Sequence, residues 1–261
     1  MIEKNKIQIS KLIIESYKVV LENWIRYIKL LFVPFIILSS LGIVIYFVES
    51  TKMRTLLAIG YNWLIPVIMI PVVTSWHRLI LLGVDDKNTH VKYVYGAEEW
   101  LYFKALFVLV ITFLVANFLL NILFGPIFIG GLSQFIGERA LIGVYRLIMF
   151  IIVFLVLCRF LLILPAAALG KRMDIANSSL AVSGNAFRVT FAYIFALIAP
   201  QIILLLTGSP VELLVCGCGL NSSLDIILLL TSIVIMMTFY TLSVGVISFA
   251  YKSLILERPT A

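Results

Sequence analysis

Six stretches of almost unbroken apolar sequence, 30–48, 57–82, 103–124, 141–164, 187–207 and 224–250, constrain this chain more than any other feature. Each is close to the roughly 20 residues a helix needs to cross the hydrocarbon core of a bilayer. Lipid offers no hydrogen bonds to a bare backbone, so segments of this kind fold as helices. The 261-residue chain is 62% hydrophobic and only 13% charged, whereas a soluble domain carries about a quarter charged residues. The expected fold is all-α: a single polytopic membrane domain over 1–261 with six transmembrane helices. Two spans carry weak points, 57–82 with Pro66 and Pro71, and 187–207 with Pro200 and Gln201. A re-entrant loop is the alternative at either place.

Charge sets the expected orientation. Six spans put both termini on one side, together with the loops 83–102 and 165–186. Sixteen of the 20 Lys and Arg fall on that side, leaving Lys52, Arg54, Arg139 and Arg146 on the other. The positive-inside rule then makes both termini cytoplasmic, in a bacterial inner (plasma) membrane. The N-terminus has acidic residues at Glu3, Glu15 and Glu22. It lacks the basic, apolar and small-residue order of a cleaved signal, so none is expected. A pI of 9.3 is explained by basic segments facing anionic inner-leaflet lipid, at about 1 kcal/mol per cation, and calls for no nucleic acid.

Residues 8–29 place Ile9, Leu12, Ile13, Tyr17, Val20, Leu21, Trp24, Ile25 and Ile28 on one helical stripe. This is the pattern of an amphipathic helix lying in the interface, or of one packed on its own protein. Related stretches precede the third and fifth spans, at 91–104 and 174–189. Tyr93, Trp100, Leu101 and Phe103 stand 76 positions after Tyr17, Trp24, Ile25 and Tyr27. Ile175, Asn185, Phe187 and Arg188 stand 162 after Ile13, Asn23, Ile25 and Arg26. The second helices also end alike, with WHRLILLG at 76–83, CRFLLILP at 158–165 and YKSLILER at 251–258. The expected layout is three hairpins, each preceded by an amphipathic helix, as repeat units 8–82, 90–164 and 173–251.

Arg78, Arg159 and Lys252 each lie about one and a half turns, or roughly 8 Å, inside the end of a span. Snorkelling to the headgroups accounts for such positions. The sharper alternative is that the three converge on an anionic lipid headgroup, since their own spans hold no carboxylate to pair with them. Trp24, Trp76 and Trp100 fit interfacial anchors. His77 and His90 have no partners at metal-ligand spacing, and Cys216 and Cys218 are an incomplete set, so no metal or cofactor is expected. Cys158 reads as a small core residue. Asn117, Asn121 and Gln201 are expected to hydrogen-bond between helices, and Ala192, Ala196 and Ala199 to mark a close helix contact. No span has an Asp or Glu near its middle for proton-coupled transport. No nucleophile, paired-carboxylate or phosphate-loop motif is present, so no catalytic residue and no enzyme activity are expected.

The two stretches SWHRLILLG and CRFLLILPAAALGKRMDIANSSLAVSGNAFRVTF resemble a group of bacterial six-helix inner-membrane proteins. Those carry W-H-R-x-x-L-L-G after span two, an Arg-rich apolar end to span four, and a short helix ending in G-N-x-x-R. The matching positions are Trp76, His77, Arg78, Gly83, Arg159, Pro165, Gly184, Asn185 and Arg188. The group is similar in layout to the membrane domain attached to some glycerophosphoryl diester phosphodiesterases. The catalytic barrel of those enzymes has no counterpart here, so the resemblance implies no phosphodiesterase activity. It implies a structural, lipid-interacting or envelope-homeostasis role, with membrane lipids and other envelope proteins as partners. The competing expectation is the membrane subunit of a small-solute or lipid transporter of the ABC-permease kind. Its coupling loop would be 165–188, with Ser178, Ser179, Ala181 and Gly184. The acidic residue and paired alanines of such a loop are absent, and Ile194 and Pro200 stand out of register.

Overall fold

In the computed structural model, which describes residues 7–83, 93–132, 152–153, 155–216 and 222–256, the first two helices meet at a single residue. Helix α1 is Ile9–Glu22 and α2 is Trp24–Tyr46. Between them Asn23 donates from both its backbone N–H and its side-chain amide to Val19 O, at 3.2 and 3.0 Å. Those bonds satisfy a carbonyl that the end of α1 leaves open. The helix expected over 8–29 is therefore cut at Asn23, and Trp24 through Lys29 belong to the span.

Helix α3 (Thr51–Leu82) runs 32 residues without a break through Pro66 and Pro71. Helix α4 (Ala97–Leu132) starts well before its apolar run. Nothing between Ala97 and Phe103 interrupts a helix, so the second expected amphipathic helix is the opening of α4 rather than a separate element. After α4 come α5 (Ile163–Ala168), α6 (Ile175–Val182), α7 (Ala186–Thr207), α8 (Pro210–Cys216) and α9 (Ser222–Tyr251). A π-turn over Lys252–Leu256 ends the described chain. Asp174 caps α6, accepting from Asn177 N at 2.6 Å, with its charge at the positive end of the helix.

Among the described residues, four helices are long and apolar enough to cross a membrane: Trp24–Tyr46, Thr51–Leu82, Ala97–Leu123 and Ser223–Leu256. The pair α6 and α7, bent by 87° at residues 183–185, makes a fifth when taken together. Half of the expected fourth span, 141–164, lies outside the described residues, as do His90 and Cys218. No strand occurs among the described residues.

Helix α9 is the axis of the packing and touches α1, α2, α3, α7 and α8. Residues 241–250 are buried except for Phe249, and in α3 the whole run 69–77 is buried. Helix α1 packs against α9 and α7, so the apolar stripe of its first turns faces protein. Ser16 lies so close to Gly245 that a Cβ there would meet Ser16 Cβ at 3.0 Å and its Cα at 3.2 Å, the close approach small residues permit between membrane helices. Ala192 and Ala196 of α7 are fully buried, and Tyr17 Oη donates to Ala196 O at 2.7 Å. The close contact expected on that face is made by α1. Asn117 instead donates to Phe113 O of its own helix at 3.0 Å.

Candidate functional site

Three consecutive residues of α3, Trp76, His77 and Arg78, reach four other helices. Successive side chains on a helix point about 100° apart, so a triplet set in the middle of a bundle can address separate neighbours.

Trp76 packs on Tyr27 of α2, with ring centroids 5.7 Å apart and planes at 60°. Tyr27 in turn donates to Thr238 Oγ1 of α9 at 2.9 Å. Trp76 is only 1% exposed, which corrects its expected place in an interfacial belt. Its Nε1 has no hydrogen-bond partner among the described residues. Trp24 and Trp100, by contrast, are exposed.

His77 is fully buried. Its Nδ1 lies 2.6 Å from Ser248 Oγ of α9, and Tyr102 Oη of α4 stands 3.5 Å from Nε2. Both ring nitrogens thus face polar atoms of other helices.

Arg78 meets two carboxylates of the first turn of α4. Its Nη2 is 3.2 Å from Glu98 Oε2 and its Nη1 is 3.5 Å from Glu99 Oε1. The first contact is an ion pair without hydrogen-bond alignment, since Nη2 makes no hydrogen bond. Nε donates to Ala168 O of α5 at 2.7 Å, against a carbonyl at the negative end of that helix. The span of Arg78 itself holds no carboxylate, as expected. Its partners come from the next helix, which opens earlier than the apolar run suggests. Glu99 is itself held: Gly96 N donates to Oε2 at 2.8 Å and Thr74 Oγ1 donates to Oε1 at 3.3 Å. Glu99 therefore caps its own helix and braces α3 at the same time.

The other two expected lipid contacts have different settings. Arg159 is exposed within a run of turns, and its backbone carbonyl accepts from Ser178 Oγ at 2.7 Å. Lys252 is half-buried and opens the π-turn. The three matching segments therefore take three backbone forms: α-helix, turns and π-turn.

A second clamp involves the G-N-x-x-R stretch. Gly184 takes φ +87° at the elbow between α6 and α7, a conformation glycine adopts without a Cβ penalty. Just beyond it, Asn185 Oδ1 accepts from Ile7 N at 3.0 Å and Arg188 Nη1 donates to Ile7 O at 2.9 Å. Both polar backbone groups of one N-terminal residue are held from α7. Sequence spacing showed Asn185 and Arg188 to be one helical turn apart, but not what they hold.

Among the described residues no three His, Cys, Asp or Glu side chains gather as a metal would require. The apolar helices and the braces between them define a helical, multi-pass membrane protein. No family model, curated protein or solved structure matches the chain.

Proposed function

We propose that the protein is a structural, lipid-interacting component of a bacterial inner membrane, with both termini cytoplasmic, in the manner of the six-helix envelope proteins it resembles. The observation that carries this reading is the closure of the W-H-R triplet on its own bundle. Arg78 is paired with Glu98 and Glu99, His77 faces the hydroxyls of Ser248 and Tyr102, and Trp76 is packed on Tyr27. Side chains tied in this way brace helices, with both ionisable groups of the triplet engaged by neighbouring helices. Interaction with lipid is supported by the excess of cations on the terminus side, where each contributes about 1 kcal/mol against an anionic leaflet.

The test is thermal unfolding of the full chain in nanodiscs of zwitterionic lipid, with and without a third of anionic phospholipid. A rise in Tm of about 2–6 °C is expected, since about 1 kcal/mol shifts a domain of this size by roughly 2–4 °C. No shift with lipid, or a shift on adding a small solute instead, overturns the reading in favour of transport.

A further inference from the structure

Away from the hub, the opening of α4 and the α5–α6 connection border two adjoining cavities of about 630 and 350 Å³ that share Leu101, Lys104 and Arg172. The larger is within the size range of small-molecule sites. Its walls are apolar, with Leu101 and Val108 from α4 and Ala167 from α5, and one border carries Lys104, Lys171 and Arg172. Neither cavity is lined by Arg78, Arg159 or Lys252.

The three cations are exposed, and none makes an ion pair or hydrogen bond through its side chain among the described residues. Two carboxylates reach the same border, and both are engaged elsewhere. Glu98 lies against Arg78, and Asp174 accepts from Asn177 N in capping α6. With three cations against these two carboxylates, the lining is net positive.

Its backbone is fixed. Helix α5 ends with Gly170 at φ +70°, Gly170 N donating to Ala167 O at 3.0 Å and Lys171 N to Ala166 O at 2.9 Å. This is the paired-bond glycine ending of a helix, and it sets Lys171 and Arg172 at one place beside α4.

A mostly apolar cavity with three cations in its lining complements an amphiphile with an anionic head. A soluble anion would use the cations but leave the walls facing water. The cleft also borders α4, an apolar helix long enough to cross a membrane, whose Phe107, Val108, Ile111 and Leu114 are exposed.

We infer that this cleft holds one anionic phospholipid, with its phosphate between Lys104, Lys171 and Arg172 and an acyl chain along Leu101, Val108 and Ala167. The inference rests on the lipid-interacting reading above and moves the binding place from the three span-end cations to the α4–α5 cleft.

The experiment is native mass spectrometry of the full chain released from nanodiscs of equal phosphatidylglycerol and phosphatidylcholine. It compares the wild type, the triple variant Lys104→Gln, Lys171→Gln, Arg172→Gln, and the control pair Arg159→Gln, Lys252→Gln. Each cation contributes about 1 kcal/mol near a charged lipid, so the wild type should retain phosphatidylglycerol with about a tenfold or greater preference. The triple variant should fall below about twofold and the control pair should stay at the wild-type value. A filled cleft, Val108→Trp with all cations kept, should also lose the lipid. Preference kept in the triple variant and lost in the control pair overturns the cleft and leaves the lipid reading standing. No preference in the wild type overturns both. Displacement of the lipid by millimolar glycerol 3-phosphate overturns the acyl-chain part, leaving a site for the headgroup chemistry alone.

Discussion

His77 Nδ1 and Ser248 Oγ lie 2.6 Å apart, joining the two most deeply buried stretches of the bundle, one in α3 and one in α9. Removing one partner strands the other in an apolar interior, while removing both does not. Ser248→Ala should therefore destabilise the protein by about 1–2 kcal/mol, within the range measured for hydrogen bonds between membrane helices. His77→Phe combined with Ser248→Ala should recover part of that loss. A double-mutant cycle on unfolding in detergent reads the coupling, and strict additivity would show that the pair contributes nothing.

The Arg78 brace makes a graded prediction. Glu99 is nearly enclosed whereas the Glu98 side chain is 45% exposed, and water weakens an exposed pair. Glu99→Gln should cost about 3 kcal/mol, because it leaves a largely buried guanidinium short of its counter-charge. Glu98→Gln should cost about 0–1 kcal/mol. Arg78→Lys keeps the charge but loses the Nε donation to Ala168 O, and should fall between the two. Equal losses at Glu98 and Glu99 would contradict this account.

The apolar runs made the helical class and the spans beginning near 30, 57, 103 and 224 legible, because hydrocarbon-length segments leave few alternatives. Ala192 and Ala196 also announced a close contact, since small side chains only matter where backbones approach. What the sequence concealed depended on tertiary partners. Glu98 and Glu99 sit outside the apolar run, in a stretch expected to be a separate amphipathic helix, and only its continuity with α4 from Ala97 sets them beside Arg78. Trp76 has the composition of a belt residue, and only the position of Tyr27 shows that it is internal. Asn23 ends α1 through hydrogen bonds to its own helix, a local competition between side chain and backbone that hydrophobic periodicity does not register.

Asn185 and Arg188 together fasten Ile7. Alanine at both should free the start of the chain with little loss of global stability, because the segment beyond is also held by the contacts of α1. Hydrogen exchange should report this, with amides at Ile7 and in the first turn of α1 exchanging about ten to a hundred times faster, as expected for a terminus opening locally. The amides of α9 should be unchanged. Acceleration throughout the bundle would mean the clamp is part of the global fold.

Two glycines in helices should respond in opposite directions. At Gly245 a methyl group would meet Ser16 Cβ at 3.0 Å and the backbone Cα at 3.2 Å, and the backbone cannot yield as a side-chain tip can. Gly245→Ala should destabilise by about 1–3 kcal/mol through overpacking. At Gly60, inside α3, nothing lies within 4 Å of the added methyl. Gly60→Ala should stabilise by about 0.5–1 kcal/mol through the helix preference of alanine. Comparison of the two melting temperatures checks both signs at once.

The cap of α8 carries a pH dependence. Ser209 N donates to Glu212 Oε2 at 2.8 Å and Glu212 N donates to Ser209 Oγ at 3.2 Å, a reciprocal capping pair. The backbone N–H of Ser209, with help from its hydroxyl, holds the Glu212 carboxyl below its ordinary range. Because the folded value is depressed, the stabilisation is present above the unfolded value of about 4.5 and is lost as pH falls through the lower folded value. Carboxyl carbon NMR of Glu212 should therefore show a titration below about 4.5, and Ser209→Ala should move it back up. In the same acid range the amides at the start of α8 should lose exchange protection, and Glu212→Gln should remove that pH dependence. A Glu212 titration unchanged by Ser209→Ala would show that the cap does not form in solution.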